Sequence, residues 1–445
     1  MECHPVAHAA TQFIAALAAL AVFSVPSRAI AADAPLTLAE AQRRAVERSA
    51  SLTAQDSAIR AAREMAVAAG QLPDPVLTVG VDNLPVDGSD AFSFGRDFMT
   101  MRKIGVAQEL TREAKRNLRT QRFEREADKD LADKDVLIAS IERDTAQAWL
   151  DRYYTEAMAA LVAEQQAQTQ LEIEAAESAY RGGRGSHADI YAARSALGAL
   201  DDRASELERR VRNAKTMLAR WAGVGPDAPL ASEPAMETIA LDPATLDTRL
   251  EHHPEIASLA RQVDMAEADA HVAQANRSPD WSVEVSYSQR GAAYSNLISV
   301  SVSVPLPWDR ANRQDREVAA KLALADQVRA QREDMLRAHT AEVRILIAEW
   351  ENGRERHERY EKQLVPLAKD RTAAVLAAYR GGKASLADVL AARRNEIDVR
   401  MQALQLTADT ARLWAQLNFL LPSGHGASHP VASAGSGASD NRGLQ

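Results

Sequence analysis

Two kinds of hydrophobic pattern alternate along this chain. Trp281 to Ser288 sets Trp281, Val283, Val285 and Tyr287 on one side and Ser282, Glu284, Ser286 and Ser288 on the other. Leu297 to Val304 repeats the scheme, with Ile298, Val300, Val302 and Val304 opposite serines. Val76 to Asn83 places Leu77, Val79 and Val81 against Thr78, Gly80 and Asp82, and Met101 to Leu110 alternates more roughly. A period of two predicts strands with one apolar and one polar face, and the turn-rich stretch from Leu84 to Asp97 makes the first pair a hairpin.

The other pattern is helical. Thr37-x-x-Glu40 has the form of a capping box and opens a helix to about Leu72, weakened near Ser49–Ser51 and stopped by Pro73-Asp74-Pro75. Arg112 to about Arg181 is free of Pro and Gly. At 1.5 Å per residue it spans roughly 100 Å, a length that implies a coiled coil or a helical tube. A half-length helix runs from Ser186 to about Trp221, and a Gly/Pro-rich linker follows. The second half restates this order. Asp242-Pro243 opens a helix that breaks at Pro254 and continues to about Asn276; Pro279 precedes the strands. A second long helix is predicted from Ala311 to Arg380, and a half-length one from Ser385 to about Leu421.

The two halves share one line almost letter for letter. Ala179–Arg194 reads AYRGGRGSHADIYAAR and Ala378–Arg393 reads AYRGGKASLADVLAAR. Tyr180/Tyr379, Gly182/Gly381, Gly183/Gly382, Ser186/Ser385, Asp189/Asp388 and Arg194/Arg393 pair at one constant offset, the mark of an internal duplication. Gly-Gly supplies φ > 0 for a reversal between helices, and Ser-x-x-Asp caps the helix that follows. The aspartates suit a helix N-terminus as caps; that they also face an opening is compatible with capping.

Composition narrows the class. The 445 residues carry a net charge of −9, and their arginines alternate with Glu and Asp as on solvated helix faces, which speaks against a nucleic-acid partner. Phe13 to Val25 is an apolar run of signal-peptide length, and Ala29-Ile30-Ala31 offers a cleavage site, so residues 1–31 read as an export signal. Cys3 is the only cysteine and would leave with it, excluding a disulfide in the mature chain. After the signal no apolar run is long enough for a membrane helix. The expected organisation is a first repeat at 32–225 with its hairpin at 76–110, a linker at 226–240, and a second repeat at 241–422 with its hairpin at 281–304. A disordered Gly/Ser/Ala/His tail at 423–445 completes it.

Strands with one bare apolar face, in an exported chain lacking a membrane helix, point to lipid on one side and water on the other. Four strands cannot close a barrel of useful width, so several copies must pool theirs. Here the residues resemble a known family. The duplicated Tyr-x-Gly-Gly-x-x-Ser-x-x-Asp line is similar to the periplasmic helix–turn–helix of the TolC family of outer-membrane efflux factors. Gly70-Gln-Leu-Pro-Asp-Pro75, Asn83-Leu-Pro85, Met99-Thr-Met101 and Gln108 resemble its CzcC-type branch, which serves heavy-metal pumps. The chain departs from some members in carrying Ala192 and Ala391 three positions after the tip aspartates, and Leu110-Thr111 where a Pro commonly follows the first hairpin.

The resemblance implies a mainly α protein with a small β part. Duplicated helical hairpins would build a trimeric tunnel, and four strands per chain would enter a shared barrel in outer-membrane lipid. It implies a homotrimer, a periplasmic adaptor (membrane fusion protein) and an inner-membrane RND pump as partners. It also implies a passive duct whose cargo is heavy-metal cations. Tyr180, Gly182, Gly183, Ser186, Asp189, Tyr379, Gly381, Gly382, Ser385 and Asp388 become the candidates for the periplasmic entrance and adaptor contact. The alternative is a periplasmic adaptor or coiled-coil scaffold without a channel.

No catalytic constellation, cofactor motif or metal-ligand set stands out. His187 reads as a surface histidine, His252-His253 as a loop pair at a helix break, and His425 and His429 as tail residues. Lys115, Arg116, Arg119, Arg310, Arg313 and Arg316 cluster just after the strands, where they would meet either lipid phosphates or solvent.

Overall fold

The computed structural model describes residues 34–239 and 250–420. The expected signal, the Asp242-Pro243 helix start and the tail histidines lie outside them. The first half contains α1 (Leu38–Glu47), α2 (Ala50–Ala69), β1 (Val76–Asp82), β2 (Met101–Leu110), α3 (Glu113–Arg181) and α4 (His187–Ala222). The second contains α5 (Pro254–Ala275), β3 (Trp281–Gln289), β4 (Leu297–Ser303), α6 (Gln314–Arg359), α7 (Val365–Arg380) and α8 (Leu386–Asn418).

Local chemistry sets most boundaries. The Thr37 hydroxyl accepts the Glu40 N–H at 3.2 Å, while the Glu40 carboxylate turns to Arg43 and Arg44 instead of closing the box. Ser49 caps α2 at the weak point in the pattern. The second long helix departs from expectation. Between α6 and α7, Tyr360–Leu364 form a single π turn. Pro366 is the physical reason: it has no N–H for the Lys362 carbonyl and its ring crowds that turn, so the backbone widens just before it.

The helix α3 is the spine. Its first half holds α2 and α5: Gln55 Nε2 donates to the Asp130 carbonyl at 2.8 Å, and Arg122 pairs with Asp269 at 3.0 Å. Its second half holds α4 and α8, through Gln166–Asp201 at 2.7 Å and Arg393–Glu172 at 3.0 Å. Short helices placed end to end therefore cover the long one along its length. The main core lies between, around the fully buried Trp149, Leu150, Val162, Leu218 and Leu417. Buried Gly353 lets α6 approach α8, since a Cβ there would stand 2.5 Å from Thr410 Oγ1. The stretch read as a linker is fastened across this core. Leu230 bridges Leu36, the Trp149 indole N–H donates to the Leu36 carbonyl at 2.9 Å, and that of Trp414 donates to the Thr238 carbonyl at 2.9 Å.

The strands form one antiparallel sheet in the order β1-β2-β3-β4. The sequence shows two hairpins; the structure adds the β2–β3 pairing that welds the two halves together, from Arg102↔Gln289 to Leu110↔Trp281.

Candidate functional site

Register decides what each sheet face presents. Leu77, Val106, Val285 and Val300 lie in one cross-strand row, and Val79, Ile104, Tyr287 and Ile298 in the next. All eight are exposed, Ile298 at 76% and Val300 at 68%. The opposite rows carry Gly105, Ser286 and Ser299, and Ala107, Glu284 and Ser301. Ser286 and Ser288 are buried on that polar side, where Lys103 pairs with Glu284 at 2.8 Å. The sheet is thus apolar on its open face and polar on its inner one, the reverse of a strand pair packed on a soluble core. Among the described residues no helix is long and apolar enough to cross a membrane.

Far along the helices lie the two reversals, and they are near copies. Gly183 N–H donates to the Tyr180 carbonyl at 2.9 Å and Arg184 N–H to Ala179 at 2.9 Å; Gly382 and Lys383 repeat this at 2.9 and 2.8 Å. This is the Schellman pattern. Only the second glycine of each pair is left-handed, Gly183 at φ 69° and Gly382 at φ 71°. The expectation of positive φ for the whole Gly-Gly pair is corrected, because Gly182 (φ −84°) and Gly381 (φ −80°) close the preceding helices. Both capping boxes are complete. Ser186 N–H donates to Asp189 Oδ2 at 2.9 Å and Asp189 N–H to Ser186 Oγ at 3.2 Å, with the same values at Ser385 and Asp388. The Ser385 hydroxyl, then its N–H, hold the Asp388 carboxyl below the usual aspartate range.

The tips differ in what surrounds the caps. The Tyr180 and His187 rings meet at a tilt, 4.2 Å between centroids, and His187 stacks with the exposed Tyr191 at 6.2 Å. The second copy has Leu386 and Leu390 at the latter two places, buried with Val389 against Ile173, Ile190 and Ala193. Tyr379 packs on that cluster. One tip therefore offers aromatic rings to solvent, and the other spends its equivalents joining the halves.

Other residues singled out in the sequence prove structural. Asn83 takes φ 55° at the end of β1, its carbonyl accepts the Thr100 hydroxyl at 3.0 Å, and its amide reaches the Met99 carbonyl at 3.4 Å. Gln108 donates to the Pro73 carbonyl at 2.7 Å. These motif residues fasten the first hairpin at both ends. Lys115 is buried and paired with Asp280 at 2.7 Å, so it does not stand among the exposed cations. His252 and His253 stand at the break before α5, as read, but His253 is its N-cap and is buried. Burial first, then the neighbouring His339, push its pKa down to about 4, so its imidazole is neutral at pH 7. His187 is exposed, as expected.

Long helical hairpins closed by twin tips carry a four-stranded sheet at the far end. The structure of the outer-membrane channel OprN shares this fold over 87% of this chain and 90% of its own, at 17% identity and a TM-score of 0.73. The outer membrane protein VceC from the bacterial pathogen Vibrio cholerae matches at 18% identity over 86% and 95% of the two chains, TM-score 0.70. CusC, whose crystal structures concern conformational changes accompanying folding and transmembrane channel formation, matches at 15% identity over 86% and 91% of the two chains, TM-score 0.72. Residues 245–422, almost the whole second half, match the outer membrane efflux protein family. No curated protein matches the chain by sequence.

Proposed function

We propose that this protein is the outer-membrane duct of a tripartite efflux system. Three copies would pool their four-stranded sheets into a barrel of about a dozen strands and continue it as a helical tunnel through the periplasm. The exposed apolar rows of the sheet carry this reading, because lipid is the environment in which such a face is stable and needs no protein cover. The family match of residues 245–422 and the shared fold support it. The tips, remote from the sheet, are the docking end for a periplasmic adaptor coupled to an inner-membrane pump. The exposed Tyr180–His187–Tyr191 rings make the first tip the richer contact surface. Asp189 and Asp388 would line the entrance. The cargo, heavy-metal cations, rests on the likeness of the first-hairpin motifs to the CzcC-type branch. Those residues hold the hairpin together and do not themselves form a cargo site.

The test exploits the two faces of β4. Val302→Arg places a charge on the apolar face, at about 2–4 kcal/mol near mid-bilayer, whereas Ser301→Arg points into the polar side. The expected result is far less folded trimer in the outer-membrane fraction for Val302→Arg than for Ser301→Arg. Equal tolerance at both positions would overturn the lipid-facing assignment.

A further inference from the structure

Where the second half begins, ligating side chains from two helices meet away from both the sheet and the tips. His253 caps α5, its Nδ1 accepting the Glu255 N–H at 3.3 Å, and it is only 4% exposed. Its ring meets that of His339, on α6, edge-on at 4.4 Å between centroids. His339 Nε2 lies 2.8 Å from a Glu255 carboxylate oxygen, and its Nδ1 lies 3.5 Å from Glu342. One ligand atom from each of His253, Glu255 and His339 falls within 4.8 Å of the other two. A simple packing contact between α5 and α6 does not call for two imidazoles and a carboxylate at one point.

We propose that His253, Glu255 and His339 bind one divalent transition-metal ion of the zinc class, clamping the start of α5 to α6. The donor set selects the ion. Two imidazoles and one carboxylate suit a borderline cation, while calcium and magnesium require mostly oxygen ligands. Three protein ligands leave a fourth tetrahedral position for water, on the side where Glu255 is 41% exposed. Metal bonds of about 2.0 Å put neighbouring ligand atoms about 3.3 Å apart, so the cluster must contract slightly. Glu255 and His339 are free to move, while His253, whose Nδ1 lone pair accepts the Glu255 N–H and whose proton is therefore on Nε2, ligates through Nδ1 and gives up that 3.3 Å bond to the ion. Without metal, Glu255 sits against His339 Nε2, the atom that would ligate; the ion replaces the hydrogen bond there and any proton in it leaves to solvent. Glu342 on the other ring nitrogen orients the imidazole, as carboxylates behind ligating histidines do. The site is independent of the channel reading.

The test uses the full chain purified in detergent, stripped with EDTA and titrated with Zn²⁺ alone by calorimetry, with thermal melting in parallel. The expected result is one saturable Zn²⁺ per chain and a rise in Tm. Glu255→Gln and His339→Gln should each weaken that binding by more than about tenfold and remove the Tm rise, and Glu342→Gln should weaken it by about tenfold. Glu255 is partly exposed, so Glu255→Gln is the variant expected to keep its metal-free melting temperature. Failure of the stripped wild-type chain to take up Zn²⁺ would overturn the proposal. Uptake equal in wild type, Glu255→Gln and His339→Gln would overturn it too, placing the ion elsewhere.

Discussion

At the scale of single residues, conformation separates positions that look equivalent in sequence. Gly182 and Gly183 are neighbours in an identical dipeptide, yet only Gly183 has positive φ. A Cβ at Gly183 would meet nothing within 4 Å, so the cost of a side chain there is backbone strain alone, about 1–2 kcal/mol. Gly183→Ala and Gly382→Ala should each loosen their tip, seen as faster amide exchange at the reversal, while Gly182→Ala leaves it nearly unchanged. Equal exchange in all three variants would remove the left-handed requirement. The capping carboxylate of Asp388 gives the tip a pH dependence of definite sign. Its pKa is lowered on folding, so its contribution is complete above the ordinary aspartate range and is lost as pH falls through the lowered value.

Between elements, one buried pair ties the halves at the base of the sheet. Lys115, near the start of α3, meets Asp280, just before β3, at 2.7 Å and also donates to the Ser278 carbonyl at 2.9 Å. Their side chains are 5% and 13% exposed. Lys115→Met would strand a buried carboxylate, at about 3–5 kcal/mol, whereas pairing it with Asp280→Leu removes both charges and should recover most of that loss. Urea resistance of the purified protein measures both, and a double variant no better than the single would show that the pair is not what matters. The π turn belongs to this scale as well. Reading Ala311–Arg380 as one helix followed its periodicity but passed over Pro366, whose missing N–H governs the preceding turn.

At the scale of the assembly, each tip aspartate is multiplied. In the proposed trimer, Asp189 and Asp388 from three copies would crowd one entrance, where close like charges attract cations. The Asp189→Asn, Asp388→Asn double variant retains side-chain oxygens for both caps, so the trimer should form as before. In planar bilayers it should lose cation selectivity and block by trivalent cations. Unchanged selectivity and block would leave the two residues as helix caps alone. The same trimer should migrate as one heat-resistant species on a denaturing gel, which neither an adaptor nor a soluble scaffold would show.

What the sequence by itself determined was everything encoded in short-range chemistry. Period-two alternation located the four strands, proline and glycine located the stops, and Ser-x-x-Asp with Gly-Gly located both reversals, because caps, turns and strand faces depend on residues a few positions apart. Tertiary structure alone decided the rest. The β2–β3 pairing joins residues far apart in the chain, so nothing local announces it. The same is true of the burial of Lys115 and of the roles of Asn83 and Gln108 as hairpin fasteners. His253 read only as one of a loop pair and His339 carried no signal in the sequence, because the packing of α5 on α6, not spacing along the chain, brings their rings together. The difference between the tips was written in His187 and Tyr191 against Leu386 and Leu390, but its meaning was not. Only the contact between the halves buries one set and leaves the other exposed.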